Sequence, residues 1–157
     1  MIHSVRVTLA TACLLAVAVA VAPPAAAASP HAQIRAQLDA MTVAANAHNT
    51  DEFLEPFMHG PRLVFVINGR IIRGWDDLHA AQLKWWRNGA SDARYTQTAP
   101  TSFMEVAPGV VVTTQQLESR RTAAGGKTRK EKFTVSTVWR RRRSRWRIVY
   151  ACESWLH

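Results

Sequence analysis

Residues 132–155 read KFTVSTVWRRRRSRWRIVYACESW. Two runs rich in β-branched and aromatic residues, 132–140 and 145–155, flank the polar stretch Arg141, Arg142, Arg143 and Ser144. This is the pattern of a β-hairpin, since strand side chains alternate between faces and a polar turn brings the chain back beside itself. A four-residue turn predicts Trp139 opposite Trp146, Thr137 opposite Ile148, Val135 opposite Tyr150 and Phe133 opposite Cys152. One face then carries Phe133, Val135, Trp139, Trp146, Ile148 and Tyr150, and the other carries Ser136, Arg147 and Glu153. The apolar face must be covered by something. The opposed tryptophans help fix the register, by about 0.2–1 kcal/mol for a cross-strand pair.

The segments before the hairpin supply the cover. Ser29 and Pro30 start a helix, and Ile34, Leu38, Met41 and Ala45 recur along it at the spacing of one apolar stripe. Asn49, with Glu52 three residues on, is a cap for a short second helix over 50–58, which His59, Gly60 and Pro61 end. Residues 63–67 (LVFVI) and 70–72 (RII) flank Asn68 and Gly69, a strong short hairpin signal because both turn positions need positive φ. After Gly74, Asp76 and Asp77 sit in the first turn of a third helix, where negative charge suits the helix dipole. Leu78, Ala81, Gln82, Trp85 and Trp86 follow at helical spacing. Residues 94–105 alternate loosely around Pro100, which predicts an edge strand or a bulge, and 110–121 form a long strand. The order is helix, helix, hairpin, helix, then four antiparallel strands. This predicts an α+β domain whose three helices pack on one face of a curved, mainly antiparallel sheet.

The chain has 157 residues, enough for a single domain over 29–157. Residues 8–22 form an uncharged apolar run, preceded by Arg6 and followed by four alanines at 25–28. At about 15 residues the run is short of a bilayer span, so 1–28 reads as a cleaved signal peptide, implying a periplasmic or secreted protein. Cys152 is then the one cysteine of the domain, which excludes an internal disulfide. Without Arg6 the chain carries 19 basic and 11 acidic side chains. From Arg120 onward there are 12 basic and 2 acidic residues, so the positive excess lies in the C-terminal strands.

The order of elements resembles the cone-shaped nuclear transport factor 2-like and SnoaL-like domains over residues 34–155. The resemblance rests on Asn46, Ala47, His48, Asn49, Thr50 and Asp51 closing the first helix, Phe57 before the first strand, and Asn68–Gly69. It rests further on Gly74, Trp75, Asp76, Asp77 and Leu78 at the third helix, and on Trp146, Arg147, Ile148 and Val149 in the last strand. Members with that fold include ketosteroid isomerases, cyclases, dehydratases, epoxide hydrolases and non-enzymatic binders, so fold alone does not settle function. The isomerase needs a carboxylate base, a tyrosine and a protonated aspartate. Matched by these marks, the three fall at Phe65, Met41 and Ser136 or Thr137, none of which moves a proton near neutral pH.

If the apolar hairpin face points inward, Thr137, Tyr150 and Cys152 are its polar members, and Gln82 lies one turn before Trp86 on the third helix. These five are the candidate ligand-binding residues of a mostly apolar hollow suited to a small, partly apolar ligand. The alternative is that they are hydrogen-bonded core groups around no ligand. No catalytic residue is assigned. His48 either extends the apolar stripe into the hollow or caps the first helix. The six histidines are scattered and no glycine-rich loop precedes a helix, so the sequence calls for no metal and no cofactor.

The arginines at 140–143, 145 and 147 form a turn cluster. They are read as solvated charge or as a weak, salt-sensitive contact with anionic envelope components, and not as a nucleic-acid site. A second basic cluster (Arg120, Arg121, Lys127, Arg129 and Lys130) lies toward the other end of the same strands. Val138, Val149, Ala151 and Trp155 leave the second sheet face apolar enough for a homodimer.

Overall fold

The computed structural model describes residues 28–156. The signal-peptide expectation falls on residues outside them, apart from Ala28. Helix α1 spans Pro30–Ala47. The Ser29 hydroxyl caps it by accepting the Ala32 amide, and Ile34, Leu38, Met41 and Ala45 are its buried stripe. His48 turns the chain in the left-handed conformation. The Asn49 side chain then accepts the Glu52 amide to start α2, Thr50–Leu54, shorter than the 50–58 expected.

Strands β1 (Val64–Ile67) and β2 (Arg70–Arg73) form the Asn68–Gly69 hairpin, with φ of 46° and 80° at the two turn residues. Helix α3, Trp75–Trp85, follows Gly74. The remainder is β3 (Arg94–Gln97), β4 (Ser102–Ala107), β5 (Val110–Thr122), β6 (Thr128–Arg142) and β7 (Arg145–Trp155). The expected single strand over 94–105 is two strands that separate at Pro100 and both pair with β5. A proline cannot donate to a ladder, so the strand breaks there. The seven strands form one mixed sheet ordered β2-β1-β7-β6-β5-β3, with β4 also on β5, and β1 and β7 run parallel.

The final hairpin differs from its expected register. Its turn is the two residues Arg143 and Ser144, so Arg142 faces Arg145, Arg141 faces Trp146, and Trp139 faces Ile148. The register then shifts: Val138 pairs with Tyr150, leaving Val149 as an extra residue on β7. Such a bulge reverses the facing of everything beyond it. Trp146 and Ile148 point to the helices, but after Val149 it is Ala151, Glu153 and Trp155 that do, not Tyr150 and Cys152. Ala151 and Trp155 accordingly leave the outer face on which a dimer contact was expected.

Trp139 and Trp146 are fully buried, with Leu54, Phe57, Leu63, Val111 and Ile148 around them. This packing fills one end of the space between helices and sheet. Toward the other end, at the β5–β6 turn, that space is open.

Candidate functional site

The open part is a cavity of about 390 Å³. Leu38, Met41 and Ala45 of α1 and Trp85 of α3 form its roof; Phe65, Leu117, Phe133 and Ala151 lie on the sheet beneath. Asn46 fixes the side wall: its amide accepts from the Tyr95 N–H at 2.8 Å and donates to the Tyr95 carbonyl at 3.0 Å, tying the end of α1 to β3.

Five rows across the sheet order the inward polar groups. The deepest contains Thr113 and Thr137, whose hydroxyls are 2.6 Å apart, with Thr113 also accepting the Trp139 Nε1–H at 3.1 Å. Next come Gln115, Val135 and Glu153, then Leu117, Phe133 and Trp155. Ser119 faces Glu131, and Arg121 faces Arg129 at the rim.

Glu153 is the unusual member. It sits beside Ile67 across the parallel ladder and faces the cavity. Loss of water around it pushes its carboxyl up to about 7, opposed in part by the Trp155 Nε1–H, which donates to Oε1 at 2.5 Å. Tyr95 also lines the cavity; its oxygen accepts the Trp86 Nε1–H at 3.0 Å, and burial pushes the phenol up.

At the rim, Glu131 is buried and held by two guanidiniums. Arg121 donates to Oε2 and Arg129 to Oε1, each at 2.6 Å.

Of the five candidate residues, Gln82, Trp86 and Thr137 line the cavity. The Gln82 amide makes no side-chain hydrogen bond among the described residues. Tyr150 and Cys152 do not line it, because the Val149 bulge turns them to the outer face. His48 is a capping residue: it is buried, and its ring Nε2 bonds the Ala93 carbonyl at 2.8 Å. Phe65, Met41 and Thr137, the inward positions matched to the isomerase, all face the cavity, whereas Ser136 bonds Thr114 on the other side. In the Arg140–Arg147 cluster, Arg147 is engaged with the Glu55 carbonyl at 2.7 Å and carboxylate at 3.0 Å.

Sequence reasoning missed Glu153, Glu131 and the two rim arginines. A signal for Glu153 exists. Ile148 and Trp155 are seven residues apart, an odd spacing that places two large apolar side chains on one face only if the strand bulges between them.

No family model matches the sequence. No curated protein matches it either. Solved structures do match. An NTF-2-like protein of unknown function from Shewanella oneidensis MR-1 superposes with a TM-score of 0.68 at 19% identity, over 80% of this chain and 99% of that one. A nuclear transport factor 2 (NTF2-like) superfamily protein from Salmonella enterica serovar Typhimurium LT2 gives 0.63 at 18% identity, over 78% and 88%. A ketosteroid isomerase-like protein from Erwinia carotovora atroseptica SCRI1043 gives 0.65 at 17% identity, over 80% and 95%. The chain has the nuclear transport factor 2-like fold.

Proposed function

We propose that the cavity binds a small, largely apolar organic ligand that offers a hydrogen-bonding group to Glu153. One observation carries this reading: a carboxyl faces an apolar-walled hollow of about 390 Å³ and takes a single side-chain donor, Trp155, among the described residues. Ionisable groups are costly in such surroundings and concentrate where a ligand uses them. Near neutral pH, Glu153 divides between a form that donates to a ligand oxygen and a form that accepts a proton, as general acid–base chemistry requires. Gln82 and Thr137 add an amide and a hydroxyl to the same hollow. Native mass spectrometry and thermal denaturation against a panel of terpenoids, steroids and aromatic polyketides test the reading. A ligand at a hundred times its Kd stabilises the fold by about 2.7 kcal/mol. The effect is expected to vanish in Ala45→Phe, which fills the hollow. A panel that stabilises both proteins equally, or neither, overturns it.

A second reading is a homodimer through the outer sheet face. It is favoured by one continuous row there: Met104 faces Val112, Val112 faces Val138, and Val138 faces Tyr150, with Met104 and Tyr150 exposed. Light scattering of the wild type beside Val138→Lys tests it; a monomeric wild type removes it.

A further inference from the structure

The two arginines at the cavity rim outnumber their counter-ion. Glu131 is 8% exposed and has both oxygens occupied, one by Arg121 and one by Arg129, which are themselves 47% and 54% exposed. One carboxylate between two guanidiniums leaves one positive charge over. Each guanidinium has five N–H donors in a fixed fork, and each spends only Nη2 on Glu131. The other donors find no protein acceptor among the described residues. Glu131 therefore holds the pair in place and does not neutralise it.

Ser119 adds an independent observation. It faces Glu131 across the β5–β6 ladder, lines the cavity and is 2% exposed, yet its hydroxyl makes no hydrogen bond to protein among the described residues. Neighbouring charges do not supply the missing anion. Asp92, at the same edge, is taken up by the Thr122 amide at 2.8 Å and by Arg87 at 3.7 Å. Glu118 is paired with Lys130 at 3.9 Å, and Glu153 lies three rows deeper than the two arginines, about 20 Å along the strand.

We propose that Arg121, Arg129 and Ser119 form an anion-binding subsite at the cavity rim, so that the ligand is an apolar organic monoanion with its charged group on the guanidiniums and its body between α1 and the sheet. This rests on the cavity reading above and narrows it to one chemical class, a carboxylate or sulfonate of an apolar skeleton. Leu117 and Phe133, in the row between Ser119 and Glu153, are the first apolar surface such a body meets.

Anilinonaphthalenesulfonate and uncharged phenylnaphthylamine share an aromatic body and differ by one sulfonate. Fluorescence titration of the full chain with each is expected to show the sulfonate binding about tenfold more tightly, the scale of one charge-assisted hydrogen bond. Arg121→Gln should remove that advantage and leave the amine unchanged. Arg142→Gln, at the exposed hairpin turn, should change neither. Glu131→Gln removes the counter-ion and should move the sulfonate the opposite way, to tighter binding. Equal affinity of the wild type for both probes overturns the anion subsite while leaving the cavity reading standing, and this comparison needs no variant to fold. A sulfonate affinity as sensitive to Arg142→Gln as to Arg121→Gln overturns it too. Binding of neither probe overturns the subsite together with the cavity reading.

Discussion

Trp155 donates its indole N–H to Glu153 from two residues along the same strand, at 2.5 Å, while its ring lies on Phe133 with centroids 4.2 Å apart and planes 10° from parallel. The stack holds the indole and the indole steadies the carboxyl, so the Glu153 side chain has a fixed posture before any ligand arrives.

Stability should reflect that acid. The Glu153 carboxyl moves from an ordinary 4.5 up to about 7 on folding, so the folded state holds its proton more tightly than the unfolded chain does. The contribution is fully present below about pH 4.5 and is lost as pH rises through about 7, amounting to about 3 kcal/mol at most. Glu153→Gln cannot lose it. Urea denaturation at pH 5 and pH 8, expressed as the difference between variant and wild type, should show the variant gaining at the higher pH.

Replacing the donor should move the titration itself. The indole N–H lowers the Glu153 value against burial, which raises it. Trp155→Phe keeps a ring to stack on Phe133 and deletes the donor, so the carboxyl should titrate at higher pH than in the wild type. Carbon-detected NMR of labelled glutamate measures this; an unchanged or lower midpoint would contradict the assigned bond.

The buried threonine pair gives a packing test. Thr113 serves both Thr137 and the Trp139 indole, whereas Thr137 bonds Thr113. Thr113→Val strands a buried N–H donor and should cost about 1–3 kcal/mol. Thr137→Val leaves the Trp139 bond intact and should cost less in the same denaturation experiment.

At the first hairpin, Gly69 has a φ of 80°. Gly69→Ala should cost about 1–2 kcal/mol, although no atom lies within 4 Å of the added carbon, because the strain is in the backbone. A cost near zero in thermal denaturation would mean that the turn relaxes.

Much of this architecture was legible from local chemistry. Ser29 and Asn49 cap the helices they were expected to cap, Asn68–Gly69 turns where expected, and the tryptophans at 139 and 146 are buried. These features depend on a few neighbouring residues, so the chain spells them out. The cavity wall was less legible because one residue decides it. Val149 is β-branched and ordinary in a strand, and nothing in its chemistry announces a bulge, yet its extra length exchanges Tyr150 and Cys152 for Ala151 and Glu153 on the inner face. The rim pair was hidden differently: Arg121 and Arg129 read as part of a basic cluster until alternation separates them from Arg120 and Lys130.

The break at Pro100 bears on how the molecule behaves in a crowd. The central strands β5, β6 and β7 run for 13, 15 and 11 residues, lengths that would invite an incoming chain if left uncapped. Instead, two short pieces of 4 and 6 residues shield β5, interrupted by a residue that cannot extend a ladder, and β2 at the opposite border is 4 residues long with an arginine at each end. Each border is short and the longer one is interrupted, so the broad sheet presents no long unbroken edge to an incoming chain.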